Sequence, residues 1–154
     1  MQIPSAVRAQ LEAKNFWQFA TINADGSPAA TPVWASVDGD TMLVNTAVGR
    51  VKERNVRRDP RVALAMVDRA NPYAWIEIRG RVVEFIEGEE ADRSIDGLAQ
   101  KYLGLERYAT GKPGEQRILL RIEPTAIHLN TEAGEDPEKL RAKLEAEARG
   151  GEAG

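Results

Sequence analysis

The residues with the clearest chemical potential lie between positions 47 and 61, where six cations face only Glu53 and Asp59. These cations are Arg50, Lys52, Arg54, Arg57, Arg58 and Arg61. Six positive and two negative charges leave a local excess of four, while the whole chain has a formal net charge of -3. One cationic cluster on an otherwise acidic protein indicates a specific anionic ligand rather than a polyanion such as nucleic acid.

The cluster begins where a predicted strand meets a predicted helix, which is a favourable place for a phosphate. A helix N-terminus presents unpaired N–H groups and partial positive charge, and the short polar residues Asn45 and Thr46 come just before it. Gly49 allows the backbone to approach a ligand, and Arg50 and Lys52 fall in the first predicted turn. Together these groups predict a phosphate site, with a solvated basic helix face as the alternative.

Helical spacing divides the cations of this cluster into two groups. Arg50, Arg54 and Arg57 are four and three residues apart and share one helix face, whereas Lys52 points nearly the opposite way. We therefore predict that Arg54, Arg57 and Arg58 mostly face solvent. Lys52 and Arg50 remain as the candidates for direct contact with a ligand.

A second unusual segment, residues 27–36, has a proline near its centre. Pro32 cannot donate to a β-ladder, which predicts a strand at a sheet edge or a bulge. Backbone groups left free between Thr31 and Trp34 could bond a planar heterocycle, and Trp34 offers an apolar face; a core tryptophan is the alternative. Trp75 and Arg79, on a later strand, suit either a ring-binding surface or a subunit interface.

The chain offers few side chains for direct catalysis. It has no cysteine and one histidine, His128, which excludes a thiolate metal site, a cysteine nucleophile and a histidine-rich cluster within one subunit. His128 is predicted to be structural, and Glu77 is expected to pair with an arginine, so no catalytic side chain and no metal site are predicted. The N-terminus lacks a signal-peptide pattern and no apolar run approaches about 18 residues, so a cytoplasmic location is expected.

Short strands must position these residues. Asp-Gly pairs at 25–26 and 38–39 are hairpin signals, and Asp59-Pro60 predicts a helix end near Arg58. Gly80 interrupts the longest strand, which indicates a bulge or a close backbone approach. The predicted strands are 16–22, 27–37, 41–46, 61–67 (buried on both faces), 74–85 and 117–122, extended to 128 in one reading; the predicted helices are 4–14, 48–58 and 88–105.

These elements predict a mainly β domain over residues 1–130, a six-stranded antiparallel β-barrel, closed or split, with flanking helices. A closed or split barrel is favoured because short hairpins otherwise leave open sheet edges. Residues 131–154 are dominated by Glu, Ala, Gly, Lys and Arg. They are predicted to form a polar tail, either a short helix starting near Asp136-Pro137 or a disordered segment.

Six short motifs carry a resemblance to a known family: TPVW at 31–34, VNTA at 44–47, GRVK at 49–52, RN at 54–55, RRDPRV at 57–62 and RGRV at 79–82. The chain resembles the pyridoxamine-phosphate-oxidase-like superfamily over about residues 3–130. Within it, the chain is similar to the deazaflavin-dependent oxidoreductases. The resemblance implies an FMN-binding-protein-like split barrel that works as a homodimer, with cofactor sites at the subunit interface.

The resemblance also implies how a cofactor would be held. Its phosphate would lie on Lys52 and Arg50, and its ring against the backbone of residues 31–34. Flavin oxidases of the superfamily have basic residues where this chain has Thr31 and Ser36, which favours coenzyme F420 over FMN. The cofactor-binding residues so predicted are Thr31, Pro32, Val33, Trp34, Asn45, Thr46, Arg50, Lys52, Asn55, Trp75 and Arg79.

The function expected from the resemblance is hydride transfer from reduced coenzyme F420 to a small organic acceptor. An FMN-dependent oxidoreductase of the pyridoxamine-phosphate-oxidase type is one alternative. A non-catalytic protein that binds or stores coenzyme F420 is another. The expected partners are a second copy of the chain and a small-molecule substrate, with neither nucleic acid nor membrane.

Overall fold

The computed structural model of the protein describes residues 1–109, 111–130 and 137–151. The chain divides into two units, one formed by residues 1–66 and 76–128 and the other by residues 67–75 and 129–154. The helices are α1 (Ser5–Glu12), α2 (Val51–Arg58), α3 (Glu89–Leu103) and α4 (Pro137–Gly151). The strands are β1 (Trp17–Ile22), β2 (Pro28–Val33), β3 (Ala35–Asp38), β4 (Thr41–Ala47), β5 (Arg61–Val67), β6 (Trp75–Ile86) and β7 (Arg117–Asn130).

The sheet closes on itself at Trp34. Its strand order is β2-β1-β5-β6-β7-β4-β3, so β2 and β3 stand at opposite ends, yet Trp34 alone separates Val33 from Ala35 along the chain. Consecutive Cα atoms are only about 3.8 Å apart, so the two ends of the sheet must meet here. This closure confirms the split-barrel class.

The break at Trp34 also corrects the number of strands. The sequence predicts one strand over residues 27–37, whereas the structure has β2 pairing with β1 through Trp17 and Val33, and β3 pairing with β4 through Ala35 and Val44. The chain therefore changes partner at Trp34, and the barrel has seven strands rather than six. Sequence pattern alone does not reveal this change because the residues on both sides remain extended.

The core fills the inside of this closed sheet. Trp17, Phe19 and Leu64 are buried there with side chains from β4, β6 and β7, and α1 adds the fully buried Val7 and Leu11. The prediction that residues 61–67 are buried on both faces is wrong, because burial alternates along β5. One face of β5 contributes to the core, and the other is partly exposed within the described chain.

Gly80 confirms the predicted close backbone approach on β6. A Cβ built on this residue would lie 2.6 Å from the carbonyl oxygen of Glu123 and 2.8 Å from Cγ2 of Ile122. The alternation of buried and exposed residues runs through Gly80 without a shift, so the sheet contains no bulge there. The glycine is required because β7 occupies the space that a side chain would need.

Substitution of Gly80 by alanine is expected to lower the free energy of unfolding by roughly 1–3 kcal/mol, the usual cost of forcing a methyl group into a packed interior. Gly97 on α3 is the matched control, because a Cβ there meets nothing within 4 Å. Gly97→Ala should raise stability by up to about 1 kcal/mol, since alanine favours a helix. Urea unfolding of both variants measures this, and equal effects would contradict the steric account.

α3 buries Ile95, Leu98 and Tyr102 in a second small cluster with Trp34 and Tyr108. The predicted polar tail contains α4 over 137–151, while residues 131–136 and 152–154 lie outside the described residues. No helix among the described residues combines the length and apolarity that a membrane crossing requires.

Candidate functional site

A cavity of about 230 Å³ opens where the end of β4, the start of α2 and the sheet closure come together. All of its lining residues belong to the first unit. They are Phe16, Pro32, Val33, Trp34, Asn45, Thr46, Arg50, Lys52, Ile95, Tyr108 and Arg117. The set divides into a cationic half and an aromatic half.

Strand pairing places Arg117 in the cationic half. Arg117 begins β7 and lies opposite Ala47 at the end of β4, two residues beyond Asn45. Side chains two residues apart share a face of a strand, so the guanidinium reaches Asn45 and donates from Nε to its Oδ1 over 2.9 Å. The Asn45 amide also donates to the carbonyl of Ala91 on α3, over 2.8 Å. Asn45 therefore orients Arg117 inside the cavity.

A largely buried carboxylate, that of Glu115, holds two of the cations in place. Glu115 accepts a bond from Arg50 at 2.8 Å on Oε1 and one from Arg117 at 3.1 Å on Oε2. Burial acts to raise the pKa of Glu115, but the bonds from Arg117 and Arg50 outweigh it and hold this pKa below its ordinary value. Glu115 is therefore an anion that fixes both guanidiniums at the cavity wall.

Lys52 is the cation without such a partner. No carboxylate among the described residues lies within ion-pair distance of its ammonium group. Burial, together with the positive charges of Arg50 and Arg117, lowers the pKa of Lys52 below its ordinary value. Three cations with one carboxylate between them leave the cavity with an uncompensated positive charge, which suits an anionic ligand.

The aromatic half is built around Trp34. The ring of Tyr102 is stacked on the indole with centroids 5.1 Å apart and planes 9° from parallel. Tyr108 meets the same indole edge-on at 6.2 Å, and the guanidinium of Arg117 lies over the Tyr108 ring at 5.1 Å. A flat apolar wall thus stands beside the cationic half, an arrangement that suits a planar ring joined to an anionic group.

The start of α2 differs from its prediction. The helix begins at Val51 rather than at residue 48, so Lys52 lies in the first turn as predicted but Arg50 is the N-cap that precedes it. The Gly49 N–H donates to the Glu53 carboxylate at 3.1 Å. Gly49 has φ of +89°, so a glycine is favoured there for its conformation. Its amide is already bonded within the protein.

Arg54, Arg57 and Arg58 are exposed, as predicted, and two of them are also bonded to the protein. Arg57 pairs with Glu53 and lies over the ring of Phe85, and Arg58 donates to the Ile22 carbonyl at 2.9 Å. None of Arg54, Arg57 and Arg58 belongs to the cavity lining. The predicted division of the cluster, with Arg50 and Lys52 set apart, agrees with this geometry.

The family model described as pyridoxamine 5'-phosphate oxidase matches residues 3–131. The chain belongs to this family. The match includes both halves of the cavity, and members of the family bind a flavin.

Solved structures agree with this family and its fold. The chain is 26% identical to an F420 reductase, with a TM-score of 0.70 over 82% of this chain and 98% of that one. A conserved hypothetical protein from Mycobacterium tuberculosis is 24% identical, with a TM-score of 0.63 over 82% and 84% of the two chains. HupZ from Group A Streptococcus, at 17% identity, has a TM-score of 0.60 over 84% and 100%. No curated protein matches the chain.

The hydroxyl group of Thr46 tests whether the cavity fits a flavin-type phosphate. Thr46 is 1% exposed, and no group among the described residues hydrogen-bonds its Oγ1. A buried hydroxyl without a partner is costly, and here it adjoins the cationic half of the cavity. A phosphate oxygen is the acceptor that this donor and the three cations would satisfy together, so the residues present fit the group.

The structure brings together seven of the eleven predicted site residues: Pro32, Val33, Trp34, Asn45, Thr46, Arg50 and Lys52. Thr31 is exposed on β2 outside the lining. Asn55 is buried and donates to Thr21 at 3.0 Å and to Asn23 at 2.9 Å, which gives it a structural role. Trp75 belongs to the second unit, and Arg79 pairs with Glu77 at 3.1 Å.

Sequence reasoning missed four lining residues: Phe16, Ile95, Tyr108 and Arg117. Of these, only Arg117 had a detectable signal, because it is the one charged residue at the head of the apolar run RILL. His128 is exposed on β7. Within residues 1–109, 111–130 and 137–151, no group of three His, Cys, Asp or Glu side chains is arranged to hold a metal ion.

The lowered pKa of Lys52 predicts a pH dependence for anion binding. A bound anion favours the charged ammonium, so affinity is complete below the lowered pKa and declines as the pH rises through it. We expect the affinity for inorganic phosphate to fall at an alkaline pH below the ordinary lysine value. Calorimetric titration across this range measures it, and Lys52→Arg should abolish the decline. A decline that persists in Lys52→Arg would assign it to another group.

Proposed function

We propose that this protein is a coenzyme F420-dependent oxidoreductase that reduces a small organic acceptor. The observation that carries the proposal is the cavity itself, which joins Lys52, Arg50 and Arg117 to the flat wall of Trp34. Membership of a flavin-binding family supports a redox cofactor there. The 26% identity to an F420 reductase over most of both chains favours the deazaflavin.

The cofactor phosphate would lie between Lys52, Arg50 and Arg117 and accept a bond from Thr46. Its ring would lie along the Pro32–Trp34 backbone, beside the stacked indole. When bound, the reduced coenzyme supplies a hydride. The chain's own task is to bind and orient the ring and to exclude water from one side of it.

An FMN-dependent enzyme is the second candidate, because the same cationic half would accept an FMN phosphate. Thr31 on β2 and Ser36 on β3 are uncharged and stand outside the cavity lining, so neither position adds a cation to hold FMN more tightly. Coenzyme F420 carries an oligoglutamate tail in addition to its phosphate. The exposed Arg54 could attract this tail at long range, with an effect that salt screens.

The proposal is tested by titrating the purified protein with coenzyme F420 and FMN in parallel, followed by fluorescence. Micromolar or tighter binding of coenzyme F420 alone supports it, and preference for FMN moves the protein to the second candidate. A screen of reduced-coenzyme oxidation by enones, quinones and imines then follows. Tight binding without turnover of any acceptor would favour a storage protein, and binding of neither cofactor would overturn the proposal.

Thr46→Val is expected to separate stability from binding. Valine has nearly the same shape but lacks the buried hydroxyl, so the ligand-free protein should gain roughly 1 kcal/mol of stability. Affinity for the cofactor should fall at the same time, by about fivefold for one lost hydrogen bond. Thermal unfolding and titration of the same preparation measure both. A loss of stability with unchanged affinity would show that Thr46 serves the fold.

We also propose that the protein acts in the cytoplasm as a homodimer without nucleic acid or membrane partners. A second cavity of about 430 Å³ supports the dimer, since it combines apolar groups such as Ile22, Val62 and Ala63 with three arginines, Arg61, Arg79 and Arg81, a mixture that suits a subunit interface. Val83 on β6 is 52% exposed, which also suits an interface. Light scattering after gel filtration tests this, and a monomer at micromolar concentration would contradict it.

A further inference from the structure

The closure of the barrel at Trp34 is held from outside by two adjacent residues of α3. Lys101 donates from Nζ to the carbonyls of Leu11 and Ala35, both over 2.7 Å. Tyr102 accepts a bond from the Ala35 N–H at 3.3 Å and donates to the carbonyl of Asn15. Both backbone groups of the residue that follows Trp34 are therefore bonded to α3.

Tyr102 also packs directly against the indole, and Lys101 reaches it through Tyr102. The Tyr102 ring is stacked on Trp34, and the Lys101 ammonium lies 4.9 Å from the centre of the Tyr102 ring. Tyr102 is 4% exposed and Lys101 is half-buried. A lysine normally keeps its ammonium group in water. The Lys101 ammonium instead bonds two backbone carbonyls, which fixes the backbone at Ala35, next to Trp34.

We propose that Lys101 and Tyr102 are positioning residues that hold Trp34 and the adjoining backbone as the ring-binding wall of the cavity. The inference rests on the proposed function. Neither residue belongs to the cavity lining. They act through Ala35 and Trp34. The position of these two residues at the sheet closure determines the position of the indole that lines the cavity.

The two halves of the cavity are held by different sets of contacts, and within the described chain only the bond from Asn45 to the Ala91 carbonyl joins the cationic half to α3 directly. Arg117 and Arg50 are held by Asn45 and Glu115, at the ends of β4 and β7. The wall at Trp34 is held by α3 through Lys101 and Tyr102. Disturbing these α3 contacts should therefore weaken binding of the ring and leave binding of the phosphate unchanged.

The test uses Lys101→Met and Tyr102→Phe, which keep the apolar part of each side chain and, for Tyr102, the stacked ring. Lys14→Met and Tyr73→Phe are the controls, because both residues are exposed. Each variant is titrated with inorganic phosphate and with the deazaflavin chromophore that carries its ribityl chain but no phosphate. We expect the chromophore affinity to fall about fivefold, equivalent to one net hydrogen bond, and phosphate affinity to stay the same.

Acrylamide quenching of Trp34 supplies a readout that does not depend on the cofactor. It is measured in a Trp75→Phe background, where Trp17 is fully buried and protected from the quencher. Quenching should increase in Lys101→Met and Tyr102→Phe and stay unchanged in the controls. Arginine at position 101 keeps the positive charge and donors, so Lys101→Arg should recover part of the chromophore affinity.

The outcomes separate this inference from the proposed function. A selective loss of chromophore affinity supports the positioning role, whereas an equal loss of phosphate affinity, or no loss of either, overturns it. If the wild-type protein binds phosphate but no chromophore, the proposed function fails. The positioning role is then decided by quenching alone: increased quenching of Trp34 supports it, and unchanged quenching overturns it.

Discussion

Arg117→Met is expected to lower the free energy of unfolding by about 3 kcal/mol, the lower end of the range for removing one partner of a buried ion pair. Arg117 is 8% exposed and bonds both Asn45 and Glu115. Methionine fills similar space but leaves the Asn45 oxygen without this donor. Glu115 keeps its bond to Arg50, so its charge remains partly compensated. The loss of stability should therefore stay below the upper end of that range, about 5 kcal/mol.

Urea unfolding measures this effect, with Arg107→Met as the control because Arg107 is exposed. The control should change stability by less than about 0.5 kcal/mol. Glu115→Gln in the Arg117→Met background should recover part of the loss, since it removes the buried charge left underpaired. Arg117→Met should also weaken phosphate binding. A variant with wild-type stability and affinity would show that the Arg117 guanidinium neither stabilises the fold nor contacts the phosphate.

Lys52→Ala is expected to weaken binding of the cofactor by about 1.5–3 kcal/mol, the range for a hydrogen bond to a charged group. This corresponds to a loss of roughly ten- to 150-fold in affinity. The effect on binding should be large because Lys52 is the cavity cation without a carboxylate partner among the described residues. Its attraction is thus fully available to a ligand.

The same variant should leave the stability of the ligand-free protein unchanged or slightly higher. Removing the ammonium relieves its repulsion from Arg50 and Arg117. Fluorescence titration measures the affinity and thermal unfolding measures the stability, with Lys14→Ala as the exposed-lysine control. Unchanged affinity in a folded Lys52→Ala protein would place the phosphate elsewhere.

Much of the fold could be predicted because the relevant signals lie close together in the chain. The Asp-Gly pairs at 25–26 and 38–39 define hairpins that the structure contains between β1 and β2 and between β3 and β4. Asp59-Pro60 ends α2 at Arg58, as predicted. Turn geometry and the restriction before proline act over two to four residues, so they can be recognised without knowledge of distant contacts.

The candidate site was only partly predictable because its charges are distributed between distant segments. Arg50 and Lys52 were recognised from their position at a helix start. Arg117 meets Asn45 across 72 positions of sequence, and this contact depends on the register between β4 and β7. Glu115 neutralises part of the cluster in the same way, through a bond to Arg50 over 65 positions.

The sequence by itself determined the family, the split-barrel class and the cationic start of α2, because local propensities and short motifs encode them. Only the tertiary structure decided that the strand breaks at Trp34, that Asn45 orients Arg117, and that Asn55 serves the fold. These features follow from which distant strands pair and in what register. A shift of one residue would turn each side chain to the other face, and no local pattern in this chain records that choice.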